Sequence, residues 1–184
     1  MSNLSFSLKN IEKRREYTDQ TLDEVKAKID SVSDINKAAV MLVGSFGRRE
    51  ASDESDVDYF LLKESEEDLL HVLQEVDRIF GEVTGKTAAK DVAFRGIHKF
   101  DELWSQIGGE QDKNPDITRR ILFLLEGRAL TNVEMVSEFR KRLLEKYIKE
   151  DISNHQLAMF FLNDVIRYYR TICVDFEFKT RESE

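Results

Sequence analysis

Two short apolar runs, KAAVMLV at 37–43 and VDYFLLK at 57–63, constrain this chain more than any other feature. Each is rich in aliphatic or aromatic residues, too short for a helix and bounded by turn chemistry, so each is read as a strand, the first of them buried. The first run ends at Gly44. The segment between them has room for a turn and a helical turn or two, but not for a long helix. The second run opens on an arrangement that a buried strand does not normally carry, with Asp56 and Asp58 flanking Val57. Successive strand residues alternate faces, so the two carboxylates would project together, roughly 6–7 Å apart.

Carboxylates that close raise each other's pKa unless a positive charge lies between them. A divalent cation, hard and oxygen-seeking, is the simplest such charge. Two metals held by such a pair would suit an in-line displacement at phosphorus. Upstream, Gly44-Ser45 leaves a strand and leads into a short helical segment, where backbone N–H groups can seat a phosphate. Ser45 adds a hydroxyl, and Arg48 or Arg49 can pair with a phosphate oxygen or with a structural carboxylate. The competing reading of SDESD is a surface turn running into an ordinary strand. The Gly-Ser turn upstream favours the functional one.

The stretch GSFGRREASDESDVDYFLL (44–62) resembles the signature of the polymerase-β-like nucleotidyltransferase superfamily. In its Gly-Arg and Ser-Asp-x-Asp form it is similar to the uridylyltransferase domain of nitrogen regulation and to small bacterial nucleotidyltransferases. The resemblance implies a mixed sheet flanked by helices, with Gly44 and Ser45 seating the triphosphate and Arg48 and Arg49 beside it. It also implies that Asp56 and Asp58 bind Mg²⁺ or Mn²⁺, and that a third carboxylate follows on a later strand. Asp91, at the start of DVAFRGI (91–97), is the best placed for that role. The implied reaction moves a nucleoside monophosphate from an NTP, ATP being the expected one, to a protein or small-molecule acceptor, releasing pyrophosphate.

The rest of the chain supplies the frame. Residues 20–37 set Leu22, Val25, Ile29 and Val32 on one helical stripe, and 65–83 reads as a helix opening on a serine and two glutamates and closing at Gly81. DVAFRGI reads as a third strand. Beyond Trp104 the periodicity is helical, in NPDITRRILFLLEGRAL, NVEMVSEFRKRLLEKYIKE and LAMFFLNDVIRYYRTICVDFEF, with Asn114-Pro115 starting the first. The fold class is therefore α/β or α+β, with a catalytic domain over 1–110 and a helical domain over 111–184. FGEVTGKTAA (80–89) imitates a Walker loop, but its glycines are one residue too close and it follows a helical pattern, so Lys86 is expected to be exposed.

In FLNDVIRYYR, Asn163, Arg167 and Arg170 share one face and Asp164 and Tyr168 a neighbouring stripe; a buried hydrogen-bond network is favoured there over a cleft lining. Arg119 and Arg120 read as surface and Phe160 and Phe161 as core. His71, His98 and His155 lack ligand spacing.

The net charge of −8 argues against a long polyanion as partner. Cys173 is the only cysteine, which removes any disulfide framework. No apolar stretch reaches signal-peptide or membrane-span length, so a cytoplasmic protein without a membrane partner is expected. Two other classes fit the same residues: a catalytically weak nucleotide-binding regulatory module, and a toxin–antitoxin-type interaction protein whose acidic surface meets a basic partner.

Overall fold

Complete burial on both sides accounts for the two apolar runs. The computed structural model describes residues 2–86, 95–105, 107–150 and 159–182. Strand β1 (Ala38–Leu42) lies antiparallel to β2 (Tyr59–Lys63), with Ala38 opposite Lys63 and Leu42 opposite Tyr59. Ala38, Val40, Leu42, Tyr59 and Leu61 face one apolar cluster, whereas Ala39, Met41, Phe60 and Leu62 face another. A sheet covered on both faces needs no polar alternation, which is why neither run shows any.

The first cluster is closed by α1 (Ser2–Ile29), through Leu22, Val25 and Ile29, and by α3 (Leu70–Thr84), through Val72, Val76, Ile79 and Phe80. Phe80 stacks on Tyr59 with ring centroids 5.0 Å apart. After β3 (Ile97–Lys99), the second cluster is closed by α4 (Phe100–Trp104), α5 (Asn114–Ile121) and, beyond β4 (Arg128–Ala129), by α6 (Val133–Glu150). There Phe100 stacks on Phe139 at 4.0 Å. The strand order is β3-β2-β1-β4, with β3 parallel to β2 and β4 antiparallel to β1. The chain is thus mixed α+β, built on a four-stranded mixed sheet among the described residues. The C-terminal helix α7 (Met159–Glu182) packs chiefly on α5. No described helix is long and apolar enough to cross a membrane.

Several boundaries differ from expectation, each for a physical reason. Helix α3 begins at Leu70 instead of Ser65, where Asp68 Oδ1 accepts the Leu70 N–H at 2.9 Å. The preceding acidic residues are spent on tertiary pairs: Glu67 with Lys37 at 2.7 Å and Glu66 with Lys99. The helix passes Gly81 and stops at Gly85, whose φ of 70° lets its N–H close onto the Gly81 carbonyl at 3.0 Å. The stripe in 20–37 ends with α1 at Ile29, and Asp34 at φ 63° precedes a single 3-10 turn, Ile35–Lys37.

NPDITRRILFLLEGRAL is not one helix. It leaves α5 at Ile121, makes a π turn over Leu122–Glu126 and straightens into β4. The reversal requires Gly127, since a Cβ there would lie 2.7 Å from the Phe123 carbonyl oxygen. The segment after residue 110 therefore supplies both an edge strand and the cover of one sheet face. Of DVAFRGI, residues 91–94 lie outside the described residues, and the observed strand starts at Ile97.

Candidate functional site

The ends of β1 and β2 are locked together where the Gly-Ser turn meets the aspartates. Val43 donates its N–H to the Asp58 carbonyl at 3.0 Å, extending the β1–β2 ladder by one bond. The chain then turns at Gly44, φ 60°, into the short helix α2 (Gly44–Arg48). A Cβ on Gly44 would sit 2.7 Å from Asp58 Oδ2. Glycine is thus required twice, for its left-handed backbone and for the approach of a carboxylate.

Asp56 and Asp58 lie in the extended segment just before β2, which begins at Tyr59 and not at Val57. The strand-like alternation nevertheless holds. Val57 is buried, Asp56 is exposed and Asp58 half-buried, the burial alternation expected at the mouth of a strand. The two aspartates are presented by a tight turn in which Ser52 donates its N–H to Ser55 Oγ at 2.9 Å and Ser55 donates back to the Ser52 carbonyl at 3.0 Å. Lys86, expected to be exposed, instead reaches this turn and donates to the Ser55 carbonyl at 3.2 Å. The sequence offered no signal for that contact, because it joins a helix end to a loop thirty-one residues earlier.

Ser45 is half-buried at this turn. The two arginines are held by carboxylates. Arg48 donates Nε to Glu50 at 2.9 Å and a terminal nitrogen to Glu126 at 2.6 Å. Arg49 makes a two-pronged pair with Asp19 of α1, and these bonds hold the Asp19 carboxyl below its ordinary pKa despite some opposing desolvation. Glu126, not singled out in the sequence, also accepts from the Tyr168 hydroxyl, so it links α2 to α7. Burial, chiefly, and the Glu126 hydrogen bond push the Tyr168 hydroxyl pKa far up, keeping it a donor.

Asp91 lies outside the described residues. On β3, next to β2, the described positions flanking Ile97 are Gly96 and His98. His98 is the second residue missed. It sits edge-on to Phe60, with ring centroids 5.8 Å apart and a buried Nε2 that has no hydrogen-bond partner. Among the described residues no three His, Cys, Asp or Glu side chains are gathered as a metal site. Asp58 is the carboxylate brought against the Gly44 turn, and its hard oxygens are of the type a divalent cation takes together with phosphate and water.

A second polar cluster lies away from this turn. Arg120, expected on the surface, is fully buried and bonds Asp112 at 2.7 and 2.9 Å, Asp164 at 2.9 Å and the Tyr147 hydroxyl at 2.9 Å. Its place in α5 was readable, since Ile117, Arg120 and Ile121 share one helical stripe. Asp164 and Tyr168 are buried on the inner side of α7, Arg167 bonds Asn114 at 2.6 Å, and Asn163 and Arg170 face outward. Phe161 is half-buried in the core, while Phe160 is 38% exposed.

No protein-family model, curated protein or solved structure matches this chain.

Proposed function

We propose that the protein is a metal-dependent nucleotidyltransferase, moving a nucleoside monophosphate from an NTP to a protein or small-molecule acceptor. The observation that carries this reading is the juxtaposition of the Gly44-Ser45 turn with Asp58, fixed by the Val43–Asp58 hydrogen bond and by the space a Gly44 Cβ would occupy. Asp56 and Asp58 would hold Mg²⁺ or Mn²⁺, which when bound neutralises charge on the phosphates. The Gly44 and Ser45 backbone and the Ser45 hydroxyl would orient the triphosphate. The acceptor oxygen attacks the α-phosphorus and the bond to the bridging oxygen breaks. Pyrophosphate leaves, and the acceptor proton passes to a carboxylate, a role for which Asp91 is proposed. Catalysis here is positioning and electrostatics.

A second reading, a nucleotide-binding regulatory module, is favoured by one observation: Arg48 and Arg49 are both engaged by carboxylates of this chain. One experiment separates the readings. ATP with Mg²⁺ at about a hundredfold its Kd should stabilise the fold by about 2.7 kcal/mol, raising the melting temperature by roughly 5–10 °C in a chain of this size. Asp56→Asn with Asp58→Asn should remove that rise while the chain stays folded. An equal rise in the double variant would sink both readings. Stabilisation without pyrophosphate release, across the four NTPs, would leave the regulatory module.

A further inference from the structure

Two of the cavities beside α1 differ in how their charges are spent. The larger, about 390 Å³ between α1 and α3, holds Lys28 and Arg78 together with Glu75 and Glu82, and these four side chains are paired with one another. The smaller, about 290 Å³ between α1 and α2, is lined by Ile11, Arg14, Arg15, Arg48 and Glu50.

In the smaller cavity the pairing is incomplete. Arg48 spends Nε on Glu50 and Nη1 on Glu126, while its Nη2 makes no bond among the described residues. Arg14 gives Nη1 to the backbone carbonyl of Glu50 at 3.0 Å, a neutral acceptor. Arg15 is exposed and has neither a hydrogen bond nor an ion pair among the described residues. Glu12 and Glu16, its neighbours on α1, do not line the cavity. Asp19, one turn further on, is taken by Arg49 and Arg128. The one lining carboxylate, Glu50, already answers Arg48. Two guanidinium charges are thus left over at one concave site, in a chain whose net charge is −8.

We propose that this cavity binds a phosphate group, free or as the monoester of a small metabolite. Above a pH of about 6 such a group carries close to two negative charges, the number that Arg14 and Arg15 leave unanswered. Guanidinium forks meet phosphate oxygens through pairs of parallel hydrogen bonds. Donors arriving from α1 on one side and from Arg48 of α2 on the other suit a tetrahedral head better than a planar carboxylate. The volume lies at the lower end of small-molecule sites, which limits the ligand to a compact one. Ile11, 43% exposed, offers an apolar contact to the carbon part of an ester. Two unspent arginines serve one phosphate, whereas a nucleic-acid strand needs a row of them. The site requires no metal, so it stands or falls separately from nucleotidyl transfer.

Titration calorimetry in EDTA at pH 8, with ionic strength held constant by chloride, tests the assignment. Inorganic phosphate and glycerol 3-phosphate should each bind once per chain with a Kd of roughly 1 mM or below. A tighter monoester would assign the source to a metabolite and equal affinities would assign it to free phosphate; either result supports the site. Arg14→Gln with Arg15→Gln should weaken binding about tenfold or more, with an unchanged circular-dichroism spectrum, since both positions are exposed. Lys28→Gln with Arg78→Gln removes as many charges from the balanced cavity and should leave the affinity as it was. No binding at about 10 mM, roughly ten times that Kd, would overturn the proposal. So would an equal loss in the Lys28 and Arg78 variant, or malonate binding as tightly as phosphate. Undiminished binding in the Arg14 and Arg15 variant would also overturn it, by moving the anion elsewhere on the chain.

Discussion

His98 illustrates how one residue's environment becomes a property of the whole protein. Burial lowers its pKa from 6.5 to about 4, the Arg119 guanidinium acts in the same direction and the Arg95 backbone opposes both. The folded protein therefore binds this proton less tightly than the unfolded chain does. Between pH 6.5 and about 4 the unfolded chain carries more protons, so stability is full above that window and falls as pH is lowered through it. His98→Phe keeps an aromatic edge against Phe60 and removes both the titration and the buried, unpartnered Nε2. Its melting temperature should fall less than that of the native protein between pH 6.5 and 4, and should match or exceed it near pH 7.5. Identical slopes would show that His98 does not stay neutral in the fold. Nothing in the sequence marked this residue, because what shifts it is a neighbouring strand and helix. Asp56 and Asp58 stood out, by contrast, because carboxylates on alternate positions at the mouth of an apolar run conflict with local preference.

At the scale of elements, Arg120 ties together parts of the chain that have no sheet in common. Its guanidinium reaches Asp112 before α5, the Leu103 carbonyl of α4, the Tyr147 hydroxyl of α6 and Asp164 of α7. The Tyr147 hydroxyl in turn donates to Asp164 at 2.7 Å. The side chains of Arg120, Asp112 and Asp164 are 0%, 1% and 3% exposed. A buried pair of this kind contributes little net stability over an apolar replacement, but removing one partner strands the others. Arg120→Ala should therefore cost about 3–5 kcal/mol, lowering the melting temperature by about 10 °C. Arg167→Ala, which loses one exposed bond to Asn114, should cost about 1 kcal/mol or less. A small effect at Arg120 would mean that water reaches the cluster. Elements were legible where the apolar pattern is strong, as in the continuous run of β1, buried on both faces, and in the single stripe of α1. They were misread where tertiary pairs overrule local chemistry, as with Ser65–Glu67, and where a two-residue strand is set by its partner, as with β4.

Over the whole molecule, the mixed α+β class followed from the order of apolar runs and helical periods, whereas the sheet order depends on pairings between distant segments. Composition alone disfavours a polyanion, with 28 basic residues against 36 acidic ones. The structure adds where those basic residues go. Arg48 meets Glu50 and Glu126, Arg49 meets Asp19, Arg78 meets Glu75 and Glu82, and Arg95 meets Asp77. Arg142 is taken up by Glu64 and Asp101 while its guanidinium lies 4.7 Å over Trp104. Binding a nucleic-acid backbone draws its strength from cations free to displace condensed counterions. These five arginines, already paired with their own carboxylates, have little to offer a polyanion. Generic single-stranded RNA and duplex DNA should therefore bind more weakly than about 10 µM near physiological salt, the range of non-specific contacts. The acceptor in the proposed reaction would accordingly be a protein or a small molecule. Fluorescence anisotropy with labelled oligonucleotides over a salt series checks this. Submicromolar binding that weakens steeply with salt would require a basic surface the ion pairs do not consume, and would move the acceptor toward nucleic acid.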